Sequence, residues 1–282
     1  MKAYILAAGE ATRLRPLSYG VPKLMAQVGA RPLIEWILDP LSKTNQIDEA
    51  YIIIRAGDIH EKALENYLKH REEYFSNNIK VSIEHGLGWE TGGDLSLVLR
   101  SQDNRGILDK RKDFLVLYGD VISDINIENL IKTHEEGRNS LRSWCTISLF
   151  EVPASEAYRF GVAQGEKVGE HLHKINSFIE KPSKDKIPKV EKVMVNAGYS
   201  VIGKEVYHNL DKFLPAKKSR IEHSVFEALS ETGELAGYLY PCKIWMDIGD
   251  ITSLEEANRK IYSGEGVLPP PIRTRKNSDL NV

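Results

Sequence analysis

Ala3-Tyr4-Ile5-Leu6-Ala7-Ala8-Gly9-Glu10-Ala11-Thr12-Arg13, followed beyond Pro16 by Pro22-Lys23, decides how this chain folds. The apolar run reads as a buried strand, and the small residues with Gly9 that end it read as a tight loop. Such a loop lets backbone N–H groups point at an anion. Arg13 and Lys23 add two fixed positive charges at the same end of the sheet. A strand, a small-residue turn and two cations together suit a chain of phosphates.

Outward from that stretch, strand and helix patterns alternate. Leu33, Ile34, Ile37, Leu38 and Leu41 recur at helical spacing behind Pro32, and Tyr51 to Ile54 form a continuous apolar run of the kind found in strands covered on both faces. Ile59, Ala63, Leu64, Tyr67 and Leu68 mark an amphipathic helix. Val81 and Ile83 belong to a third strand, Gly86 to Gly93 to a Gly-rich loop, and Leu95 to Leu99 to the helix after it. Phe114 to Tyr118 is a fourth strand that ends at Gly119-Asp120. Repeated strand–helix alternation with parallel connections predicts an α/β fold with a Rossmann-like, doubly wound, mixed but mostly parallel sheet. In such sheets ligands bind outside the carboxyl ends of the strands, where the Gly9 loop, the Gly86 loop and Asp120 should converge. The second half reads as further strands at 145–150, 160–163, 175–179, 193–202 and 235–240, with helices over 204–213, 222–232 and 253–262. No linker separates the halves, so residues 1–262 read as one domain built on a continuous sheet. Residues 263–282, with Pro269-Pro270-Pro271, form an extended or disordered tail.

The 282 residues carry a formal net charge of -2, which gives no support for a nucleic-acid coat. Two cysteines, Cys145 and Cys242, are too few for a disulfide framework and read as buried thiols of a cytoplasmic protein. No signal-type segment opens the chain, and no apolar run approaches the roughly 20 residues a membrane span needs. Neither nucleic acid nor membrane is an expected partner. The eight histidines show no metal-ligand spacing; His171 and His173 sit among charged residues.

Several segments, taken in order, resemble the signature of sugar-1-phosphate nucleotidyltransferases, the pyrophosphorylases that make nucleotide sugars. Leu6 to Leu17 with Pro22-Lys23 is similar to the opening motif of that family. Thr91-Gly92-Gly93, Tyr118-Gly119-Asp120, Phe160-Gly161-Val162, Glu180-Lys181-Pro182, Asn196-Ala197-Gly198 and Trp245 to Asp250 resemble its later motifs. The resemblance implies a nucleotide-diphospho-sugar transferase, or GT-A-like, fold. It also implies a reaction in which a sugar-1-phosphate oxygen attacks the α-phosphorus of a nucleoside triphosphate and pyrophosphate leaves. The nucleophile is already an anion near neutral pH, so positioning, cations and Mg²⁺ carry the catalysis.

Carried over position by position, the resemblance gives Arg13 to the triphosphate and the leaving pyrophosphate, and Lys23 to the phosphates near the α position. Asp120 and Asp247 form the Mg²⁺ site; Asp124 and Asp250 read as caps or supporting residues. Leu6, Ala8, Gly9, Thr12, Arg13, Glu84, Gly92 and Gly93 cradle the nucleotide. A carboxylate at Glu84 can accept from the N1–H and amino group of guanine, which tilts the base slightly towards guanine over thymine or uracil. Gly161, Glu180, Lys181, Asn196 and Trp245 bind the sugar phosphate. Glu180 and Lys181 are neighbours on a strand and so point to opposite sides, which requires a bend, expected at Pro182. One departure is Ala11, where the family usually has a second Gly; its methyl group is tolerated if φ is negative. Two other readings share the fold: a non-catalytic regulatory subunit, and a glycosyltransferase that uses a finished nucleotide sugar. Relatives often assemble, so a homo-oligomer is an open expectation.

Overall fold

Strand β1, Lys2–Leu6, sends Ala3 and Ile5 into one buried cluster and Tyr4 into another on the opposite face. That two-sided burial is what a continuous apolar strand demands, and it organises the computed structural model, which describes residues 1–71 and 79–264. The other strands are β2 (Gln27–Val28), β3 (Arg31–Pro32), β4 (Glu49–Arg55), β5 (Lys80–Gly86), β6 (Phe114–Tyr118), β7 (Val121–Ser123), β8 (Cys145–Pro153), β9 (Gly161–Lys167), β10 (Leu172–Glu180), β11 (Lys192–Ile202), β12 (Leu235–Leu239) and β13 (Trp245–Asp247). Nine of them make one sheet in the order β5-β4-β1-β6-β11-β8-β12-β10-β9. The pairings β5–β4, β4–β1, β1–β6 and β8–β12 are parallel; β10 and β11 run against the rest. The sheet is therefore mixed, with most strands sharing one direction.

Helices cover both faces. Leu33–Ser42, Glu61–His70, Ile127–Leu141 and Ile251–Ser263 pack on the face that receives Ala3, Ile5, Ile52 and Leu117. Glu90–Asn104 and the helical turns between Lys204 and Thr232 pack on the face that receives Tyr4, Ile53 and Val116. The helix after β5 begins at Glu90, earlier than its apolar pattern predicts, so Thr91, Gly92 and Gly93 lie in its first turn rather than in a loop. Ser263 closes the last helix and Gly264 caps it at φ 77; the rest of the expected tail, 265–282, lies outside the described residues. Among the described residues no helix is long and apolar enough to cross a membrane.

A two-stranded ribbon that the sequence pattern does not announce pairs β13 with β7 in antiparallel register, Asp247 opposite Val121. The Ile248 N–H donates to the Asp120 carbonyl at 2.7 Å. The Asp124 carboxylate accepts from the Lys243 and Ile244 N–H groups, both at 3.2 Å, and so pins the start of the ribbon. Asp250 caps the last helix, accepting from the Ser253 N–H at 2.8 Å.

Below the sheet, Asp113 ties the start of β6 to its neighbours. Both its oxygens accept from Arg138 Nη1 at 2.6 Å and one accepts from the Lys204 N–H at 2.9 Å. Burial alone would raise this carboxyl, but His134, the Lys204 N–H and Arg138 outweigh it and hold it well below the usual carboxylate range. A depressed folded-state value means stability that is present above the unfolded value and lost as pH falls. Asp113→Asn is therefore expected to cost about 2–4 kcal/mol at pH 7, the scale of a broken, partly buried pair. Denaturant titrations should show that cost shrinking below about pH 4, where the unfolded chain takes up a proton that the folded carboxyl still resists.

Candidate active site

The carboxyl ends of β1, β4 and β6 open into a cleft of about 770 Å³. Leu6, Ala8, Gly9, Thr12, Arg13 and Lys23 line one side of it, Asp120 and Asp247 its middle, and Gly161, Glu180, Lys181, Asn196 and Trp245 the other. Gly119 brings β6 against β1: its N–H donates to the Leu6 carbonyl at 2.9 Å, and a Cβ there would lie 2.8 Å from that oxygen. Thr12–Leu14 forms one short helical turn, which carries Arg13 over the strand ends. Ala11 precedes it at φ 48, ψ 35. The expected negative φ is thus not found, and this Ala accepts the left-handed conformation at roughly 1–2 kcal/mol.

Charge is arranged by sign. The Lys23 ammonium stands 2.8 Å from Asp120 Oδ2. The Arg13 guanidinium and the Asp247 carboxylate both come within 3.4 Å of where a Cβ on Gly249 would lie. Asp247 is pushed up from the ordinary carboxyl range, first by burial and then by the charge of Asp120, with Lys23, Arg159 and Arg13 pulling the other way. The β7–β13 ribbon creates this juxtaposition: Asp247 lies opposite Val121, and Asp120, far away in the chain, directly precedes Val121. Two like charges in a low-dielectric cleft invite a cation. Mg²⁺ commonly takes few protein carboxylates and completes its shell with phosphates and waters. Asp120 and Asp247 fit that pattern, whereas the described residues contain no group of three or more His, Cys, Asp or Glu that would make an all-protein cage.

On the opposite wall, β10 ends at Glu180 and Lys181 takes φ 47. The turn comes one residue earlier than Pro182, and it lets both side chains line the same cleft, with Lys181 Nζ 3.4 Å from Glu180 Oε1. Gly161 is required by space: a Cβ would lie 2.4 Å from Phe178 and 2.9 Å from Glu180 Oε2. Trp245 stacks on Phe150 with ring centroids 5.0 Å apart and meets Phe160 edge-on at 5.1 Å. Its indole N–H donates to the Ala197 carbonyl at 3.1 Å. Asn196 turns its amide on itself, Oδ1 accepting from the Gly198 N–H at 3.0 Å, and donates from Nδ2 to the Tyr118 hydroxyl at 3.2 Å.

Three expected nucleotide residues lie elsewhere. Glu84 does not line the cleft: it lies under the Glu90–Asn104 helix, where its Oε1 accepts from Arg105 at 2.5 Å and Gln102 at 3.1 Å. The lean towards guanine loses the residue that carried it. Gly92 and Gly93 are packing glycines, their N–H groups donating to the Ser219 carbonyl at 2.9 and 3.0 Å. A Cβ on Gly92 would meet the Ile221 nitrogen at 2.9 Å, and one on Gly93 the Lys217 carbonyl at 2.6 Å. Gly88, Glu90, Thr91 and Asp94 take the lining positions instead. Asp94 holds that loop, its Oδ1 accepting from the Leu87 and Trp89 N–H groups at 2.7 and 3.0 Å. Glu84→Gln should accordingly leave the KM for every triphosphate within about 3-fold, whereas Asp94→Ala, which frees the loop, should raise it by about 10-fold or more. Initial-rate titrations of the triphosphate check both.

Sequence reasoning also missed Tyr118, Arg159, Lys218, Arg220 and Glu222, which all face the cleft. Glu222 opens a wide, π-type turn, Glu222–Glu227, a feature frequent at functional sites. Arg220 contacts Glu90 at 3.4 Å. A signal was present for two of them: Tyr118 directly precedes Gly119-Asp120, and Arg159 directly precedes Phe160-Gly161. The run Lys217-Lys218-Ser219-Arg220 belongs to none of the motifs quoted from the sequence.

Comparison with known proteins places this geometry. A family model described as nucleotidyl transferase matches residues 2–264. Mannose-1-phosphate guanyltransferase from Aspergillus oryzae is 29% identical over 301 residues, covering 98% of this chain and 74% of that protein. The bifunctional protein GlmU of Methanococcus maripaludis is 29% identical over 264 residues, covering 93% of this chain and 55% of that longer protein. The structure of a UDP-glucose pyrophosphorylase complexed with UDP-glucose superposes with a TM-score of 0.70 at 18% identity, covering 93% of this chain and 98% of that one. At that identity the likeness speaks for the fold.

Proposed function

The chain belongs to the nucleotidyl transferase family, and from that premise we propose that it condenses a nucleoside triphosphate with a sugar 1-phosphate to give a nucleoside-diphosphate sugar and pyrophosphate. The observation that carries the reading is the division of one cleft. Arg13 and Lys23 stand at one side, the Asp120–Asp247 pair between, and Glu180, Lys181, Asn196 and Trp245 opposite. Two polyanions that repel each other in water can be held there in a single geometry.

In the proposed step a sugar-phosphate oxygen attacks the α-phosphorus, the bond from α-phosphorus to the bridging oxygen breaks, and pyrophosphate takes the electron pair. Arg13 holds the triphosphate and neutralises charge that grows on the leaving group. Lys23 serves the phosphates near the α position, and Lys181 the sugar phosphate. Asp120 and Asp247 would hold Mg²⁺, which supplies charge neutralisation at the phosphate oxygens. Glu180 accepts from sugar hydroxyls, Asn196 donates to the sugar or its phosphate, and Gly161 gives the ring access to backbone. Leu6, Ala8, Gly9 and Thr12 support base and ribose on the other side.

A matrix of the common triphosphates against sugar 1-phosphates, with Mg²⁺ and a pyrophosphate readout, tests this. The reading expects release only when both substrates are present, with one base and one sugar series preferred. Release that is independent of the sugar phosphate would refute it.

A further inference from the structure

We propose that Glu222 is a positioning residue for the sugar half of the cleft: through the Tyr118 hydroxyl it fixes the Asn196 amide with one N–H left for the sugar 1-phosphate, an inference that rests on the nucleotidyl-transfer reading. Glu222 is 6% exposed, and its two carboxylate oxygens are divided between two hydroxyls. Thr91 Oγ1 donates to Oε2 at 2.8 Å, and the Tyr118 hydroxyl donates to Oε1 at 2.5 Å. The Thr91 oxygen accepts in turn from the Ile221 N–H at 3.0 Å, so its own proton is committed to Glu222. Tyr118 keeps its proton, because burial first and the charge of Glu222 next push its hydroxyl well above the ordinary range. With that proton given to Glu222, the Tyr118 oxygen faces Asn196 as an acceptor.

Two independent demands therefore set the Asn196 amide. Tyr118 needs a donor, which Nδ2 supplies at 3.2 Å. The Gly198 N–H needs an acceptor, which Oδ1 supplies at 3.0 Å, and Gly198 takes φ 86 in the turn that aims it there. The amide nitrogen carries two hydrogens. The second has no partner among the described residues, and Asn196 lines the cleft. Without the Glu222 oxygen, the Tyr118 proton would turn to Asn196 and compete with the Gly198 N–H for Oδ1, so the amide would lose its single orientation. The π-type turn Glu222–Glu227 extends the same support. Glu227 Oε1 accepts from the Glu180 N–H at 3.0 Å. In an α-helix, residues five apart lie about 140° apart around the axis. The wider i→i+5 turn narrows that angle, so two residues of the sugar wall, Asn196 and Glu180, depend on carboxylates of one turn.

Initial rates of pyrophosphate release test this, with each substrate of the active pair titrated while the other is saturating. Tyr118→Phe, which removes only the hydroxyl, should raise KM for the sugar 1-phosphate by about 10-fold and leave KM for the triphosphate within about 3-fold. Glu222→Met should raise the sugar KM by a similar factor. Glu222→Gln, which retains one acceptor oxygen, should raise it at least about 3-fold less than the Met variant does. Added to Asn196→Ala, Tyr118→Phe should change the sugar KM by less than about 2-fold, because it acts through an amide that is already gone. KM does not depend on the folded fraction of a preparation, and if Glu222→Met does not fold, Tyr118→Phe and its combination with Asn196→Ala decide. A sugar KM unchanged in Tyr118→Phe, equal rises in both KM values, or a rise that multiplies with that of Asn196→Ala would overturn the inference and leave nucleotidyl transfer intact. If the wild type releases no pyrophosphate with any substrate pair, the transfer reading fails and the inference with it.

Discussion

Asp120→Asn and Asp247→Asn are each expected to lower metal-dependent pyrophosphate release by at least about 10³-fold, the loss that follows when phosphate charge is left unneutralised in the transition state. The two side chains reach the same place by different routes: Asp120 follows the end of β6, and Asp247 ends β13, which pairs with β7. Neither is a packing residue. Asp120 is partnered by Lys23 at 2.8 Å, and Asp247 is half-buried, with its carboxyl pushed up by burial and by the charge of Asp120. Removing one charge should relieve the repulsion between them, so both variants should fold as stably as the wild type or slightly better. The check has two parts: steady-state pyrophosphate release, and Mn²⁺ binding by electron paramagnetic resonance in the presence of triphosphate. Activity retained in both variants would remove the metal site from the account.

Arg13→Ala is expected to lower turnover by about 10²–10³-fold, the scale of a lost transition-state donor. Arg13 rides on the short turn Thr12–Leu14 and its guanidinium reaches towards Gly249 and Asp247. It donates to no protein carboxylate among the described hydrogen bonds and ion pairs, so the loss should appear in catalysis and not in thermal stability. Mn²⁺ binding should be retained, which separates this variant from the two aspartate variants. Arg13→Lys should recover only part of the rate, since an ammonium cannot match the planar fork of guanidinium on phosphate. Near-normal turnover in the Ala variant would refute the assignment.

Much of the sheet was legible because its central strands are covered on both faces, and residues such as Tyr51 to Ile54 can only be apolar there. The strand ends were legible because Gly9 and Gly119 interrupt apolar runs, and at Gly119 the backbone does approach that of Leu6. The ribbon β7–β13 was not, because a three-residue strand carries no periodicity and its partner lies more than a hundred residues away. The neighbourhood of Asp120 and Asp247 was therefore accessible through family resemblance alone.

The nucleotide side shows where local reading fails. Thr91-Gly92-Gly93 looks like a loop because glycine ends most helices, but here the glycines let the 217–221 segment lie against the first helical turn. Glu84 looked like a base reader because a carboxylate can accept from the N1–H and amino group of guanine. On edge strand β5 it turns to Gln102 and Arg105 of the adjacent helix and helix end. The bend that brings Glu180 and Lys181 to one side was anticipated from strand geometry, but it is made by the left-handed Lys181 and not by the proline after it. Glu222 escaped notice because it belongs to no motif and its partner Tyr118 lies 104 residues away; Tyr118 was quoted only as the residue that opens the Gly119-Asp120 motif.

Phosphorus NMR of the wild-type protein with Mg²⁺, one triphosphate and one sugar 1-phosphate chosen from the substrate matrix tests the central claim most directly. The account predicts that nucleotide-sugar and pyrophosphate resonances grow together in equal amounts, drawn from both substrates. Unchanged triphosphate, or its breakdown to diphosphate and inorganic phosphate with the sugar 1-phosphate unchanged, would contradict it.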